Sequence, residues 1–203
     1  MAPQLELPLF PLGVVLFKNG LLPLHIFEPR YVNMIENVIE METGFGVVLL
    51  RDGSDVYQEG ESSPPPIYCA GTIASIRQYK RLPDGRFYVL VEGGAKFHVE
   101  SSWELDNHLR MALVRIEKDE AKFEMRESDA DLVDVARKAV DAAGVKSDQV
   151  LLDYSDATSV SMRLSEYLPL DLHFRQQLFE LNNAHRRLDL IRKWLNKFSK
   201  ETL

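Results

Sequence analysis

A single cysteine, Cys69, in 203 residues rules out an intramolecular disulfide and any zinc site built from several thiolates. It also sets the expectation of a reducing compartment, read as the cytoplasm. No apolar run approaches the roughly 18 to 20 residues a membrane helix needs. The N-terminus has no basic region leading into an apolar core, so neither a membrane span nor a secretion signal is expected. Two glycines spaced by four residues and followed by Lys and Ser or Thr, the arrangement that cradles a nucleotide phosphate, are missing, which argues against ATP-driven work. Gly44 and Gly46 begin like a dinucleotide fingerprint, but Leu49 stands in the third glycine position and the segment precedes a strand instead of opening a helix. GxSxG and HExxH are absent as well. Positive charge is short: 24 Lys and Arg face 31 Asp and Glu, and a net charge of -7 opposes nonspecific attraction to nucleic acid. The one dense basic run of the first half, Arg77, Lys80 and Arg81, reads as the solvated face of a hairpin arm.

What is present is 45% hydrophobic residues, enough to bury a sizeable core in one domain or two small lobes. The stretch from Leu5 to Tyr31 reads as strand, turn, strand and helix start. Leu5, Leu7 and Leu9 alternate with Glu6 and Pro8, and Val14 to Phe17 form a run suited to a strand buried on both faces. Prolines at 8, 11, 23 and 29 confine these strands to short, edge-like or kinked pieces of a bent, barrel-like sheet. From Tyr31 the apolar residues Met34, Ile35, Val38 and Ile39 fall at helical spacing, with Pro29 fit for the first turn and Gly44 as the stop. Phe45 to Leu50 reads as a buried strand, Arg51 to Pro66 as a loop, and Leu82-Pro83-Asp84-Gly85 as a hairpin turn whose second arm is broken by Gly93 and Gly94. Strands at Lys96 to Glu100 and Leu109 to Glu117 bring the total to six or seven with one helix among them.

Beyond about residue 120 the pattern is helical. Helices are expected from Ser128 to Gly144, over Gln149 to Tyr154, from an Asp156 cap to Leu168, and as one long element from Asp171 to Phe198. The expected fold class is therefore α+β, with a β-rich lobe over 1–120 and an α-helical bundle over 121–203 that ends in a long helix.

Few residues invite chemistry. Cys69 with His25, His98 or His108 has the composition of a thiol nucleophile and its base, but a lone cysteine entering a strand reads as a small buried hydrophobe. His25 and Glu28 span a strand-to-helix junction without a third ligand near in sequence. They read as structure, Glu28 and Arg30 fixing the start of the helix and His25 hydrogen-bonded in the barrel wall. No catalytic residue, metal ligand or cofactor is expected. Surface remains: open strand edges, and a groove between the lobes lined by Phe27, Tyr31, Tyr79, Phe87 and Tyr167, suit a polypeptide.

Four segments, LPLFPLGVVLF, LPLHIFEPRY, GTIASI followed by LPDGRFYVLVEGGAKF, and LPLDLHFRQQLFELNNAHRRLDLI, together resemble the N-terminal, substrate-binding domain of the Lon protease family, including its stand-alone bacterial form. The resemblance covers nearly the whole chain. It implies a PUA-like pseudo-barrel followed by a helical bundle, and a module that engages substrate polypeptide while ATP hydrolysis and cleavage reside elsewhere. Lys18 stands where the family commonly has proline, and Lys96, after Gly93 and Gly94, stands where it often has arginine, keeping the charge without the bidentate fork. The expected function is non-enzymatic binding of unfolded or specific client polypeptides, with a separate protease or ATPase as a further partner. The alternative is RNA or small-ligand binding by the PUA-like barrel.

Overall fold

A computed structural model of the chain describes residues 3–52, 64–144 and 152–201. It divides into two compact units, Met1–Asp119 and Glu120–Leu203.

The first unit carries β1 (Gln4–Leu12), β2 (Leu21–Ile26), α1 (Pro29–Glu40), β3 (Phe45–Leu50), β4 (Ile67–Arg81), β5 (Phe87–Glu104) and β6 (Arg110–Ile116). The six strands are ordered β2-β5-β4-β3-β1-β6, and a further pairing of β5 with β6 closes five of them into a ring. Closure is possible because β5 is long: its first third, Phe87 to Glu92, pairs with β2, and Phe97 to Glu104 pairs with β6. The ring interior is filled by Leu7, Leu9, Val48, Phe97, Ala112 and Val114. A second cluster packs α1 on the sheet through Tyr31, Met34, Ile35 and Val38, the i, i+3, i+4, i+7 face of the helix. Gly85, at φ 88°, makes the tight β4–β5 turn, where Leu82 N–H donates to the Arg86 carbonyl.

Three expectations are corrected here. Val15 to Phe17 form no strand; they are buried irregular backbone. Polar groups here are satisfied outside any ladder: Thr72 Oγ1 donates to the Leu16 carbonyl and Gly20 N–H to the Phe17 carbonyl, while Asn19 N–H donates to the Gly93 carbonyl and Gly93 N–H to the Gly20 carbonyl. This close approach explains Gly93, where a Cβ would overlap the Phe17 carbonyl oxygen. Gly93 and Gly94 accordingly do not break the arm, and β5 runs through them. Nor does Gly44 stop α1. The helix ends at Glu40, Glu42 takes the left-handed position at φ 52°, and Gly44 instead lets the chain pass against Ile73 and Ala74. Most of the expected loop, 53–63, lies outside the described residues.

The second unit contains a 3-10 turn at Glu127–Asp129, then α2 (Ala130–Ala142), α3 (Ala157–Tyr167), α4 (Leu172–Glu180) and α5 (Ala184–Glu201). α3 packs against α2, α4 and α5. Its start is capped by Asp156, whose carboxylate accepts the Thr158 N–H. The single long helix expected from Asp171 to Phe198 is two helices. Asp171 caps α4 by accepting the Phe174 N–H, and Asn183 accepts the Arg186 N–H and starts α5. Of the helix expected over Gln149 to Tyr154, residues 149–151 lie outside the described residues, and 152–154 are not helical.

Candidate polypeptide-binding face

β2 is the end strand of the sheet: among the described residues it pairs only with β5, in the register His25 opposite Tyr88 and Pro23 opposite Leu90. Period-two alternation turns Leu22, Leu24 and Ile26 to the core and Pro23 and His25 outward. On the far side of β5, Lys80 of β4 stands opposite Tyr88 and Gln78 opposite Leu90. These six outward residues, Pro23, His25, Gln78, Lys80, Tyr88 and Leu90, line an open depression of about 440 Å³ that Tyr79 also borders. The His25 ring stacks on Tyr88 at 4.6 Å between centroids and lies 5.9 Å from Phe27. Phe27 and Tyr88 are each about half exposed, at 51%; Tyr79, also exposed, pairs with Val89 and its ring lies toward Phe87, so it only rims this face. The face thus joins a free main-chain edge to exposed aromatic rings and one cationic side chain.

The five aromatics expected to line a groove fall into three groups. Phe27 and Tyr79 are exposed on this unit. Tyr31 and Phe87 are corrected: both are buried in the core, Tyr31 against Phe10 and Phe87 among the inward residues of β5, so neither offers surface to a peptide. Tyr167 is half-buried in the second unit, where burial and then Glu166 push its hydroxyl above its ordinary range. The residue missed in the sequence is Tyr88. Its signal was parity: Val89 and Val91 are core residues, which sends Phe87 inward and Tyr88 outward.

The junction residues are placed as follows. Arg30 meets the Glu28 carboxylate at 3.0 Å, donates to the His108 carbonyl and lies over the Tyr31 ring, tying the start of α1 to the β5–β6 turn. His25 is not inside the wall; it is exposed on the outer face of β2. Lys96 reaches the Glu117 carboxylate at 3.2 Å while Glu117 N–H donates to the Lys96 carbonyl, an ion pair and a ladder bond holding β5 to the chain beyond β6. Cys69 is likewise corrected: it is exposed on β4, because Ala70 takes the inward position beside it. Among the described residues no group of three or more His, Cys, Asp or Glu is arranged to hold a metal ion, and no helix is long and apolar enough to cross a membrane.

The family model for the ATP-dependent protease La (LON) substrate-binding domain matches residues 6–197. Lon protease 1 of Syntrophobacter fumaroxidans is 29% identical over 188 residues, which cover 90% of this chain and 23% of that protein. Lon protease 2 of Bdellovibrio bacteriovorus is 26% identical over 197 residues, covering 93% of this chain and 24% of that protein. The chain spans about a quarter of the length of the curated relatives it matches. Among solved structures, the Lon N-terminal domain protein from Xanthomonas campestris superposes with a TM-score of 0.75 at 27% identity, over 94% of this chain and 98% of that one. The N-terminal domain of Mycobacterium avium complex Lon protease shares the fold at a TM-score of 0.58 and 14% identity, over 93% and 97% of the two chains. The matched region is the substrate-binding domain and not the ATPase or protease domain, and with a match across nearly its whole length the chain belongs to the LON substrate-binding domain family.

Proposed function

We propose that this chain is a non-enzymatic polypeptide-binding module that captures unfolded or partly extended client segments on the free edge of β2 and its outer aromatic face. It works in the cytoplasm and supplies clients to a protease whose ATPase and cleavage parts lie elsewhere. The observation that carries the reading is the coincidence of a strand edge unpaired among the described residues with the Phe27, His25 and Tyr88 rings. An extended peptide gains main-chain hydrogen bonds from such an edge, and its alternate side chains meet the rings. Pro23 is compatible with this because β2 is an edge strand.

The test is an array of hydrophobic peptides followed by fluorescence anisotropy on the hits. The double variant Phe27→Ala/Tyr88→Ala should weaken binding by about tenfold or more, with an unchanged unfolding midpoint because both rings are already half exposed. Uniformly blank arrays would remove the reading. Tight binding of structured RNA with a steep salt dependence would favour the PUA-like alternative instead.

A further inference from the structure

A second apolar surface lies on the same β-rich unit, lined by β1, α1 and β6 and not by β2. It is a groove of about 590 Å³ lined by Met34 of α1, Met41 just past its end, Met111 of β6, Leu5 of β1, and Leu105 and Leu109 of the β5–β6 connection. Leu5, Met41 and Leu105 are exposed by 46%, 68% and 42%, so three of the largest uncovered apolar side chains of the described residues gather at one place. Its lining carries one charged residue, Glu6. At the rim, Glu40 and Glu42 flank Met41 and Asp106 follows Leu105, all exposed. None of these four carboxylates forms an ion pair among the described residues. Arg110, between Leu109 and Met111, donates to the Pro65 carbonyl and does not line the groove.

We infer that this groove is a docking site for the apolar face of a basic amphipathic helix, separate from the β2 edge. Methionines give an adaptable apolar floor that accepts varied side chains. Met34 and Val38, buried in the core, underlie the groove, and Met41, just past the end of α1, stands with Leu5 and Leu105 as the exposed apolar groups that the stripe of an incoming helix would cover. The acidic rim selects the charge of the occupant: Lys or Arg flanking the apolar stripe meets Glu6, Glu40, Glu42 and Asp106, whereas an acidic helix meets like charge. The inference stands on this groove alone and survives or fails independently of the β2 reading.

The test uses the full chain and labelled peptides of about 18 residues that share one Leu stripe: one with Lys on the polar face, one with Glu there, and one Lys peptide broken by a central proline. The Lys helix should bind with an affinity that falls as salt rises, and the Glu and proline peptides should bind at least about tenfold more weakly. Met41→Lys and Leu105→Lys, both exposed and so tolerated by the fold, should each weaken the Lys helix by about tenfold, while Tyr88→Ala on the β2 face leaves it unchanged. Equal binding of the Glu or proline peptide, no binding of any peptide, or indifference to both groove variants overturns the inference. So does a self-association of the chain that Met41→Lys abolishes, since the groove would then be an interface between copies.

Discussion

Of the nine polar or charged side chains buried among the described residues, Thr72 alone belongs to the β-rich unit; Asp129, Asp156, Thr158, Ser161, Arg163, Ser165, Gln176 and Arg187 belong to the helical one. The difference follows from where each architecture leaves its backbone groups. A closed ring of strands pairs N–H and C=O groups within the sheet, so its interior can be apolar, and Thr72 is needed only where the irregular Val15 to Phe17 segment presents the Leu16 carbonyl. Four short helices have eight ends, each with unsatisfied groups that side chains must reach. Arg187 shows the solution: from α5 it donates to the carbonyl of Leu178 in the last turn of α4 and of Leu181 just past it, to Ser161 Oγ on α3, and to the Glu120 carboxylate. Of the nine large apolar side chains exposed among the described residues, seven lie on the β-rich unit and two, Leu172 and Phe198, on the helical one.

The two tryptophans, Trp103 on β5 and Trp194 on α5, report on one unit each, so Trp103→Phe and Trp194→Phe backgrounds let each contrast be read by fluorescence during urea unfolding. The largest expected effect is Arg187→Ala, which strands Glu120 and two helix-end carbonyls and should cost about 3 to 5 kcal/mol in the transition reported by Trp194. A transition at Trp103 that moves equally would break the comparison, because the units would then unfold as one. Next, Gly93→Ala should lower the Trp103 transition by about 2 to 3 kcal/mol, since the new methyl group meets backbone and not a yielding side chain. Thr72→Val, which keeps the shape and leaves the Leu16 carbonyl without its donor, should cost about 1 to 2 kcal/mol in the same transition.

The smallest effect is on pH dependence. Burial raises the Glu166 pKa above its ordinary 4.5, against the opposing pull of Arg163 and Arg175. The folded state therefore holds a proton more tightly than the unfolded chain. The resulting stabilisation is fully present below the ordinary value and is lost as pH rises through the raised one. Glu166→Gln should flatten that fall in the Trp194 transition, and an unchanged slope would show that Glu166 is not its source.

Much of the fold was readable one segment at a time. Tyr31, Met34, Ile35 and Val38 announce α1, Asp156 announces α3, and Leu82 to Gly85 announces the hairpin, because each depends on neighbours within a few residues. The candidate face was readable only in part. Phe27 and Tyr79 stand out in the sequence, but nothing there separates Tyr88 from Phe87, since composition treats adjacent aromatics alike and only register tells them apart.

By itself, then, the sequence determined the helix faces, several of the caps and the hairpin turn, because these rest on residue types and short spacings. The tertiary structure alone decided what depends on contacts between distant residues. Val15 to Phe17 has strand composition but is irregular backbone, engaged by Thr72 and packed against Gly93. The apolar stripe runs unbroken through Leu178, Leu181 and Ala184, and the chain still turns there because Arg187 and Asn183 satisfy the ends of two helices. The same holds for the proposed binding face: an edge strand is open only once every other strand has found its neighbour, and that is a property of the closed sheet and not of any segment within it.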